Sequence, residues 1–337
     1  MKVSESLRTT LRAVLVAALS ALLFAGLVGT ASAAPSTEAP GASACAGRSI
    51  PASKVSIQLW TFAEYIGFGS DAVTQVRHEE VLRRLSEMGY RNVEPFTLSG
   101  FTAEHYAALL RGYGLKASGR HVDVGAPESP VNITQILEEN GVLGITYFGS
   151  GSTPRDHTTE AQWTAYAQYL DTVGEQAREA GQTLMIHNHN WELATLGDGR
   201  TGLDILMQHT EPKNVVFQLD LYWATFAGAD PVELIEEYGN RTQLFHVKDL
   251  NPTLNNRIEI VGRGTIDFPS IFAAAGGSTR YFVVEHDPRF GDATFNPFEA
   301  AEVGFDYLDS VKFSSKGKGK GKAKGHDKDH GGDRGRH

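Results

Sequence analysis

One pattern recurs along the middle of this 337-residue chain and sets narrow limits on its fold. Between about residues 54 and 313, a short apolar and often β-branched run is followed by a polar turn and then by an amphipathic helical stretch. Short apolar runs are typical of strands in a parallel sheet that is buried on both faces. The predicted strands are Val55–Trp60, Arg91–Phe96, Leu115–Val122, Gly144–Phe148, a run that starts at Leu184, Asn214–Asp220, Thr242–Val247 and Arg280–Glu285.

Eight strands that are each followed by a helix, within about 260 residues, are the expected layout of a TIM barrel. A doubly wound open sheet is the alternative, but no glycine-rich phosphate-binding motif follows the first strand. Among the helices, Asp230-Pro231 is a strong start signal, and another helix is expected to begin near Ser129-Pro130. The sequence therefore predicts an α/β fold in which residues 54–313 form a single-domain TIM (β/α)8 barrel.

The amino-terminal segment is typical of an exported protein. Residues 1–33 have a basic start, an uncharged apolar stretch from Ala13 to Gly29, and the cleavage site Ala31-Ser32-Ala33. These features predict a secretory signal peptide, with an uncleaved anchor as the alternative. Residues 34–53 are predicted to be a linker, and the single cysteine, Cys45, cannot form an internal disulfide. We therefore expect a secreted, extracellular protein without membrane attachment after cleavage.

The distribution of charge argues against a nucleic-acid partner. The chain has a formal net charge of −9, although residues 314–337 are rich in Lys, Gly and His and carry net positive charge. The body is therefore strongly acidic and would repel a polyanion. The tail has almost no apolar residues, so it is predicted to be disordered. It is expected either to contact an anionic cell-wall polymer or only to increase solubility, and oligomeric state is left open.

Ionisable side chains follow the predicted strands where a TIM barrel carries its active site. Four consecutive strand ends carry His187, Asp220, His246 and Glu285. A lone histidine at such a place is usually structural, and a lone aspartate is commonly a helix cap. Four together predict a mononuclear metal site, and a mixture of imidazole and carboxylate ligands suits Mn²⁺, Zn²⁺, Co²⁺ or Fe²⁺.

Other side chains near the same strand ends are candidate substrate contacts. Glu94 and His121 follow earlier strands and would be either substrate contacts or rim residues. Trp60 and Trp223 offer flat faces for a sugar ring, although they could equally fill the core. Arg263, in a glycine-flanked turn, could reach a substrate oxygen or phosphate.

From about Val55 to Phe313 the chain resembles the xylose isomerase-like TIM-barrel superfamily, in the group of sugar phosphate isomerases/epimerases. The motifs that carry this resemblance are His187-Asn188-His189-Asn190-Trp191-Glu192, Asp220-Leu221-Tyr222-Trp223, His246-Val247-Lys248-Asp249, Gly262-Arg263-Gly264-Thr265-Ile266-Asp267-Phe268 and Phe282-Val283-Val284-Glu285-His286-Asp287. The resemblance implies a divalent metal held after the fifth to eighth strands, and a sugar or polyol as the small-molecule substrate.

The fifth strand departs from one branch of that superfamily. Ketose epimerases have glutamates after strands five and eight, whereas this chain has His187 and Glu285. At this stretch it is more similar to relatives of inosose dehydratase and of lyases that act on 3-keto-glycosides. A metal-bound imidazole is a poor general base, so a symmetrical proton exchange between two carboxylates is not expected.

The chemistry implied by these relatives is removal of a proton next to a carbonyl, with a metal ion stabilising the enediolate. Glu285 is the expected base, and His189, Glu192 or Lys248 the expected acid. Return of the proton gives a secreted, metal-dependent sugar isomerase/epimerase, which is the main prediction. Loss of a β-substituent gives a lyase that acts as a dehydratase or β-eliminase. A non-catalytic sugar-binding barrel is a further alternative.

Overall fold

The computed structural model describes residues 47–289 and 291–314. The predicted signal peptide, most of the predicted linker and nearly all of the carboxyl-terminal tail lie outside these residues, so those three interpretations stay predictions. Within the described ranges, no helix is both long enough and apolar enough to cross a membrane.

The described residues contain eight barrel strands, numbered here in chain order. These are β1 (Val55–Ile57), β2 (Asn92–Val93), β3 (segments Lys116–Ala117 and Arg120–His121), β4 (Tyr147–Gly149), β5 (Thr183–His187), β6 (Val215–Asp220), β7 (Thr242–Val247) and β8 (Tyr281–Val284). Neighbouring strands are parallel throughout. A two-stranded antiparallel hairpin, Asp249–Asn251 with Arg257–Glu259, follows β7.

The sheet closes on itself around β1. On one side β1 pairs with β8, with Val55 opposite Phe282. On the other side the N–H of Glu94, just after β2, donates to the carbonyl of Ile57, and the N–H of Leu59 donates to the carbonyl of Glu94. Because β2 also pairs with the first segment of β3, each strand has two neighbours. The predicted TIM barrel is therefore confirmed.

Ten helices lie in the described part of the chain. They are α1 (Ala63–Ile66), α2 (Ala72–Met88), α3 (Ala103–Gly112), α4 (Ile133–Leu143), α5 (Glu160–Glu179), α6 (Gly202–Gln208), α7 (Leu221–Phe226), α8 (Pro231–Tyr238), α9 (Phe268–Ala275) and α10 (Pro297–Ser310). In α5 one apolar face, with Trp163, Tyr166 and Leu170, is buried. Apolar side chains recur at helical spacing along α5, so they form one apolar face of the helix, and this face packs onto the barrel.

Several predicted boundaries are wrong, and local hydrogen bonds explain two of them. The helix expected near Ser129-Pro130 begins only at Ile133, because Ser129 instead forms a backbone turn with Ala126 and Asn132 caps the helix. The first strand stops at Ile57 and does not reach Trp60. The side chain of Gln58 accepts a hydrogen bond from the N–H of Trp60 and starts a 3₁₀ turn over Leu59–Phe62.

Candidate metal centre and active site

The four predicted metal ligands lie together at the carboxyl ends of β5 to β8, and all four are buried. His246 Nδ1 is 2.5 Å from Glu285 Oε2 and 3.9 Å from Asp220 Oδ2. His187 Nε2 is 3.9 Å from the same Asp220 oxygen. The structure thus brings together all four residues that the strand-end pattern selected.

Four potential metal-ligand atoms of this cluster form no hydrogen bond of regular geometry among the described residues, although two of them, Asp220 Oδ2 and Glu285 Oε2, form ion pairs with Lys248. The four atoms are His187 Nδ1, Asp220 Oδ2, His246 Nδ1 and Glu285 Oε2. His246 Nδ1 and Glu285 Oε2 face each other at 2.5 Å. Buried polar atoms are normally paired, and imidazole nitrogens with carboxylate oxygens are the ligands that a transition-metal dication prefers. The donor set therefore fits such a cation.

The ammonium group of Lys248 lies among three carboxylates of this centre. Its Nζ is 3.0 Å from Asp220 Oδ2, 2.9 Å from Glu285 Oε2 and 3.1 Å from Asp287 Oδ1. Burial alone would lower the pKa of Lys248, but these carboxylates raise it well above its usual value. Burial likewise acts to raise the pKa of Glu285, but the charges of Lys248 and His246 hold it below its usual range. Lys248 is therefore charged and Glu285 ionised.

Asp220 is fully buried. Burial raises the pKa of its carboxyl to about 6, although Lys248 and His246 act in the opposite direction. Its Oδ1 accepts a hydrogen bond from the N–H of Trp223 at the start of α7, so only Oδ2 is left for a ligand. One carboxylate oxygen therefore caps a helix and the other faces the cluster.

Glu94 lies beneath the cluster and is fully buried. Its Oε1 accepts hydrogen bonds of 2.7 Å from Gln58 Nε2 and from His246 Nε2. Its Oε2 accepts one from Gln218 Nε2. Gly119 allows this arrangement, because a Cβ there would lie 2.8 Å from Glu94 Oε2. Glu94 is therefore placed to orient His246 rather than to contact a substrate.

The contact between Glu94 and His246 fixes which nitrogen of His246 faces the other ligands. With Nε2 donating to Glu94, Nδ1 points toward Asp220 and Glu285. Burial alone would lower the pKa of His246, but Glu285 and Glu94 raise it to about 10. Metal-bound histidines commonly donate their other N–H to a carboxylate, which orients the ring and raises its basicity.

His121 lies close to the same histidines. Within the described residues, His121, His187 and His246 form a second group whose potential ligand atoms lie within 4.8 Å of one another, beside the group of Asp220, His246 and Glu285. His121 Nε2, however, is already 2.8 Å from Gln218 Oε1. Its ring also lines the adjoining cavity, so it lies at the border between the ligand cluster and the predicted substrate space.

A cavity of about 920 Å³ opens above the cluster. The predicted site residues that line it are Trp60, His121, His187, His189, Trp223, Lys248 and Glu285. Phe96, Arg155, Trp191 and Asp287 also line it. The cavity therefore joins most of the predicted catalytic and substrate-binding residues in one space.

Glu192 does not line this cavity. Its carboxylate is buried, accepts a hydrogen bond from the N–H of His189 at 2.8 Å, and contacts the hydroxyl of Thr153. Burial raises the pKa of Glu192 to about 7. His189 packs flat on Trp191, with ring centroids 4.2 Å apart. Glu192 is thus placed to hold the loop that presents His189.

Arg263 also lies outside the cavity. Its guanidinium is 47% exposed and pairs with Glu299 at 2.8 Å. The loop that carries it is held by Asp249, whose carboxylate accepts hydrogen bonds from the backbone N–H groups of Gly262 and Gly264. The geometry does not place Arg263 where it would contact a substrate in this cavity.

Sequence reasoning missed the buried amides Gln58 and Gln218 and the hydroxyl of Thr153. Gln218 precedes Asp220 by two residues on β6, so both side chains point to the same face of the strand. That periodicity could have identified Gln218. Gln58 and Thr153 lie in irregular segments and had no comparable signal.

Comparisons with known proteins agree with this fold. A family profile described as xylose isomerase-like TIM barrel matches residues 82–311. Inosose dehydratase from Geobacillus thermodenitrificans is 29% identical over 170 residues, which cover 44% of this chain and 55% of that protein. Inosose dehydratase from Geobacillus kaustophilus is 24% identical over 75% of this chain and 92% of its own length. The chain thus spans little more than half the length of the first of these relatives.

Among solved structures, a sugar phosphate isomerase/epimerase from Parabacteroides distasonis has a TM-score of 0.65 and 23% identity, and the match covers 82% of this chain and 98% of that one. At that identity the likeness shows the fold. The family profile covers more than half of the present sequence. The chain therefore belongs to the xylose isomerase-like TIM barrel family.

Proposed function

We propose that this protein is a divalent-metal-dependent enzyme that removes a proton next to the carbonyl group of a keto-sugar or cyclic polyol ketone. The observation that carries the proposal is the convergence of the buried side chains of His187, Asp220, His246 and Glu285 beside a large cavity. The relatives named inosose dehydratase support a ketone substrate. If the predicted signal peptide is used, the reaction takes place outside the cell.

The same four residues would hold the metal ion. When bound, a divalent cation acts as a Lewis acid that polarises a carbonyl oxygen and stabilises the negative charge formed on proton removal. Glu94 is placed to support the site by accepting the other N–H of His246.

The residues around the cavity can divide the proton transfers between them. Glu285 is ionised and lines the cavity, so its carboxylate can accept the proton from carbon. Lys248 Nζ lies 2.9 Å from Glu285 Oε2 and carries protons that it can donate to an oxygen of the substrate. His189, whose pKa burial lowers, lines the cavity as a neutral imidazole. Of the three predicted acids, Lys248 and His189 are therefore in position and Glu192 is not.

Two outcomes follow from the same first step. If the proton returns to carbon, the substrate is isomerised or epimerised, and the related fold of the Parabacteroides protein is compatible with this outcome. If a neighbouring hydroxyl instead takes a proton from Lys248 and leaves as water, the electrons of the broken C–H bond form a C=C bond. The histidine at the end of β5 and the dehydratase relatives favour this dehydration.

Metal analysis and deuterium exchange test the proposal. The purified protein is expected to contain a transition-metal dication, and its removal by a chelator should abolish activity. In deuterium oxide, an inosose and a series of ketohexoses are incubated with enzyme and Mn²⁺, and deuterium at the carbon next to the carbonyl is measured by NMR. Mass spectrometry of the same samples detects loss of water, which separates dehydration from isomerisation.

The matched variants are Glu285→Gln, which removes the proposed base, and Glu299→Gln, which changes a surface carboxylate. Loss of a general base typically costs about 10²- to 10⁴-fold, so Glu285→Gln should reduce exchange by at least about 100-fold and Glu299→Gln should leave it unchanged. Exchange that does not depend on Glu285 would refute the mechanism. Sugar binding without exchange for any substrate would favour a non-catalytic sugar-binding barrel.

A further inference from the structure

A group of basic side chains lies at the amino ends of the strands, which is the end of the barrel opposite the cavity. Four of them belong to the neighbouring strands β8, β1, β2 and β3, where they directly precede a strand or begin it. Two more lie in the segments before β1 and after α10, which pair with each other through backbone hydrogen bonds. We call these residues the basic row: Arg280, Lys54, Arg91 and Lys116 at the strands, and Arg48 and Lys312 in the paired segments.

Hydrogen bonds between neighbouring strands show that the basic row is continuous from β3 to β1. The N–H of Lys116 donates to the carbonyl of Arg91 at 3.0 Å. The side-chain amide of Asn92, the residue after Arg91, donates to the carbonyl of Ser53, the residue before Lys54, at 3.0 Å. Because neighbouring strands of a sheet are only about 4.8 Å apart, these cations begin from closely spaced points of the backbone.

Lys54 connects this part of the basic row to Arg280 and Arg48. Its Nζ donates a hydrogen bond of 2.6 Å to the carbonyl of Thr279, the residue before Arg280. Burial lowers the pKa of Lys54, and the positive charges of Arg280 and Arg48 lower it further. A carbonyl oxygen accepts a hydrogen bond from the ammonium group but does not neutralise its charge, so the repulsion between these cations is not compensated.

The basic row is not neutralised by carboxylates of the barrel. Among the residues that the structure describes, none of its six members forms an ion pair, and all of them except Lys54 are exposed. By contrast, the exposed side chains of Arg83 and Arg263 pair with Glu87 and Glu299. A row of exposed cations without carboxylate partners produces a local positive potential that attracts anions.

The positive potential is confined to one half of this end of the barrel. The segments that precede β5, β6 and β7 carry the exposed carboxylates of Glu179, Glu211 and Glu237. The backbone of Phe313 pairs with that of Arg48, so the chain reaches its lysine-rich carboxyl-terminal residues beside the basic row. Although the body as a whole is acidic, a narrow anionic partner can therefore bind along the row without crossing the acidic half.

We propose that the basic row is a docking site for a flexible linear polyanion, a polymer with closely spaced phosphate or carboxylate groups. Guanidinium and ammonium groups bind both kinds of anion through charge-assisted hydrogen bonds. A flexible chain can follow the row and turn away from the acidic half. Because the row lies at the end of the barrel opposite the cavity, a docked polymer would hold the protein and leave the cavity open.

An anionic membrane is the other kind of surface that a basic face could meet. Proteins that lie on membranes commonly combine basic groups with apolar side chains that enter the bilayer. The exposed side chains of Phe68, Phe226 and Leu254 lie in segments that follow strands, at the end where the cavity opens. Near the basic row, Val142 at the end of α4 is the exception. The distribution of apolar side chains therefore favours a polymer over a membrane.

Polymer binding at several salt concentrations tests the proposal. Fluorescently labelled polyphosphate and polygalacturonate are titrated with the full chain, and neutral dextran is the negative control. At least one of the two anionic polymers should bind, with a logarithm of affinity that falls linearly with the logarithm of salt concentration. Tighter binding of polyphosphate indicates a phosphate polymer, and tighter binding of polygalacturonate indicates a carboxylate polymer.

The triple variant Arg91→Gln/Lys116→Gln/Arg280→Gln neutralises half of the basic row and leaves the carboxyl-terminal residues unchanged. Its affinity at low salt should fall by about tenfold or more. The slope of the salt dependence should fall by about 2, because each lost contact with an anionic group removes about 0.7 from the slope for a single-stranded polyanion.

The matched control is Arg77→Gln/Lys213→Gln/Arg257→Gln, which removes the same charge from exposed residues outside the basic row. Its affinity and slope should stay within about twofold of the unmodified values. The charge-retaining variant Arg91→Lys/Lys116→Arg/Arg280→Lys should also bind like the unmodified protein, which separates loss of charge from misfolding.

Three results would overturn the docking site. The first is equal binding by the two neutralised variants, which would assign the affinity to net charge or to the carboxyl-terminal residues alone. The second is absence of binding to both anionic polymers. The third is row-dependent binding to vesicles of phosphatidylcholine and phosphatidylserine without binding to either polymer, which would identify a membrane as the partner. Loss of polymer binding in the charge-retaining variant would likewise contradict an electrostatic site.

Discussion

The two halves of the barrel differ in regularity and in what they contribute to the cavity. Strands β5 to β8 are four to six residues long, and their ends supply all four candidate metal ligands. Strands β1 to β4 consist of segments of two or three residues. The segments that follow them supply the buried carboxylate Glu94 and the aromatic residues Trp60 and Phe96.

The difference in strand regularity between the two halves goes together with a difference in the residues that they supply. A regular parallel strand fixes the direction of each side chain, so adjacent strand ends can hold several ligand atoms at one point. Short strands that are followed by turns orient their side chains less regularly, but the turns can form a broad surface along the cavity. We infer that the regular half carries the reacting groups and that the irregular half shapes the space for the substrate, with Glu94 as the link between them.

Among the changes that test this comparison of the two halves, Glu94→Gln has the largest expected effect. It removes a charge from the irregular half, and its main consequence falls on the regular half. The neutral amide is a weaker acceptor for the N–H of His246 and lowers the basicity of Nδ1. Affinity for Mn²⁺, measured by calorimetry, should fall by about 10- to 100-fold.

Glu139→Gln is the control for that change, because Glu139 is a carboxylate paired with Arg120 at 3.0 Å rather than with a ligand histidine. It should leave Mn²⁺ affinity unaltered. Equal affinity in Glu94→Gln and the unmodified protein would mean that the two halves act independently, and our interpretation of Glu94 would have to be abandoned.

The same division explains how far the sequence could predict the structure. His187, Asp220, His246 and Glu285 were identifiable because each follows or ends a short, mostly apolar run, and parallel strands bring such ends together. Trp60 was placed at a strand end, but the side chain of Gln58 diverts the backbone into a turn. The turn depends on the hydrogen bonds that join Gln58 to Trp60 and to Glu94. The spacing of apolar residues in the sequence does not predict these contacts.

Glu94 shows a second limit of sequence reasoning. Its position near the end of a predicted strand was visible, but its depth below the ligands depends on contacts with Gln58 and Gln218 from segments distant in sequence. The strand-and-helix pattern predicted the fold and the ligand positions, and the family resemblance implied the same. It did not distinguish residues that face the cavity from those that support the residues facing it.

A smaller effect is expected at Glu192, where the two halves meet through its contact with Thr153. Burial raises the pKa of Glu192 to about 7 in the folded protein. Between the ordinary pKa of a glutamate and about 7, the folded protein therefore keeps the Glu192 proton, whereas the unfolded chain has released it. Stability from this group is therefore present at low pH and is lost as pH rises from about 5 to about 7. Relative to Glu192→Gln, the unmodified protein should lose about 1 kcal/mol of unfolding free energy per pH unit in this window.

Urea unfolding at several pH values measures this difference. The other titrating groups are present in both proteins, so their contributions cancel in the comparison. Glu160→Gln is the control, since Glu160 is an exposed carboxylate paired with Arg200. Its pH profile should match that of the unmodified protein. Parallel profiles for Glu192→Gln and the unmodified protein would show that Glu192 is ionised in the fold.

The smallest effect is expected for Arg263→Ala. This substitution tests whether the glycine-flanked loop that follows the regular strand β7 contributes to substrate binding. Arg263 is half exposed, pairs with Glu299 and lies outside the cavity, and exposed ion pairs contribute about 0–1 kcal/mol to stability. KM and kcat for the substrate identified by deuterium exchange should therefore stay within about twofold of the unmodified values. A tenfold rise in KM with unchanged kcat would instead show that the loop after β7 closes over the cavity and brings Arg263 to the substrate. The regular half would then take part in recognition as well as in chemistry.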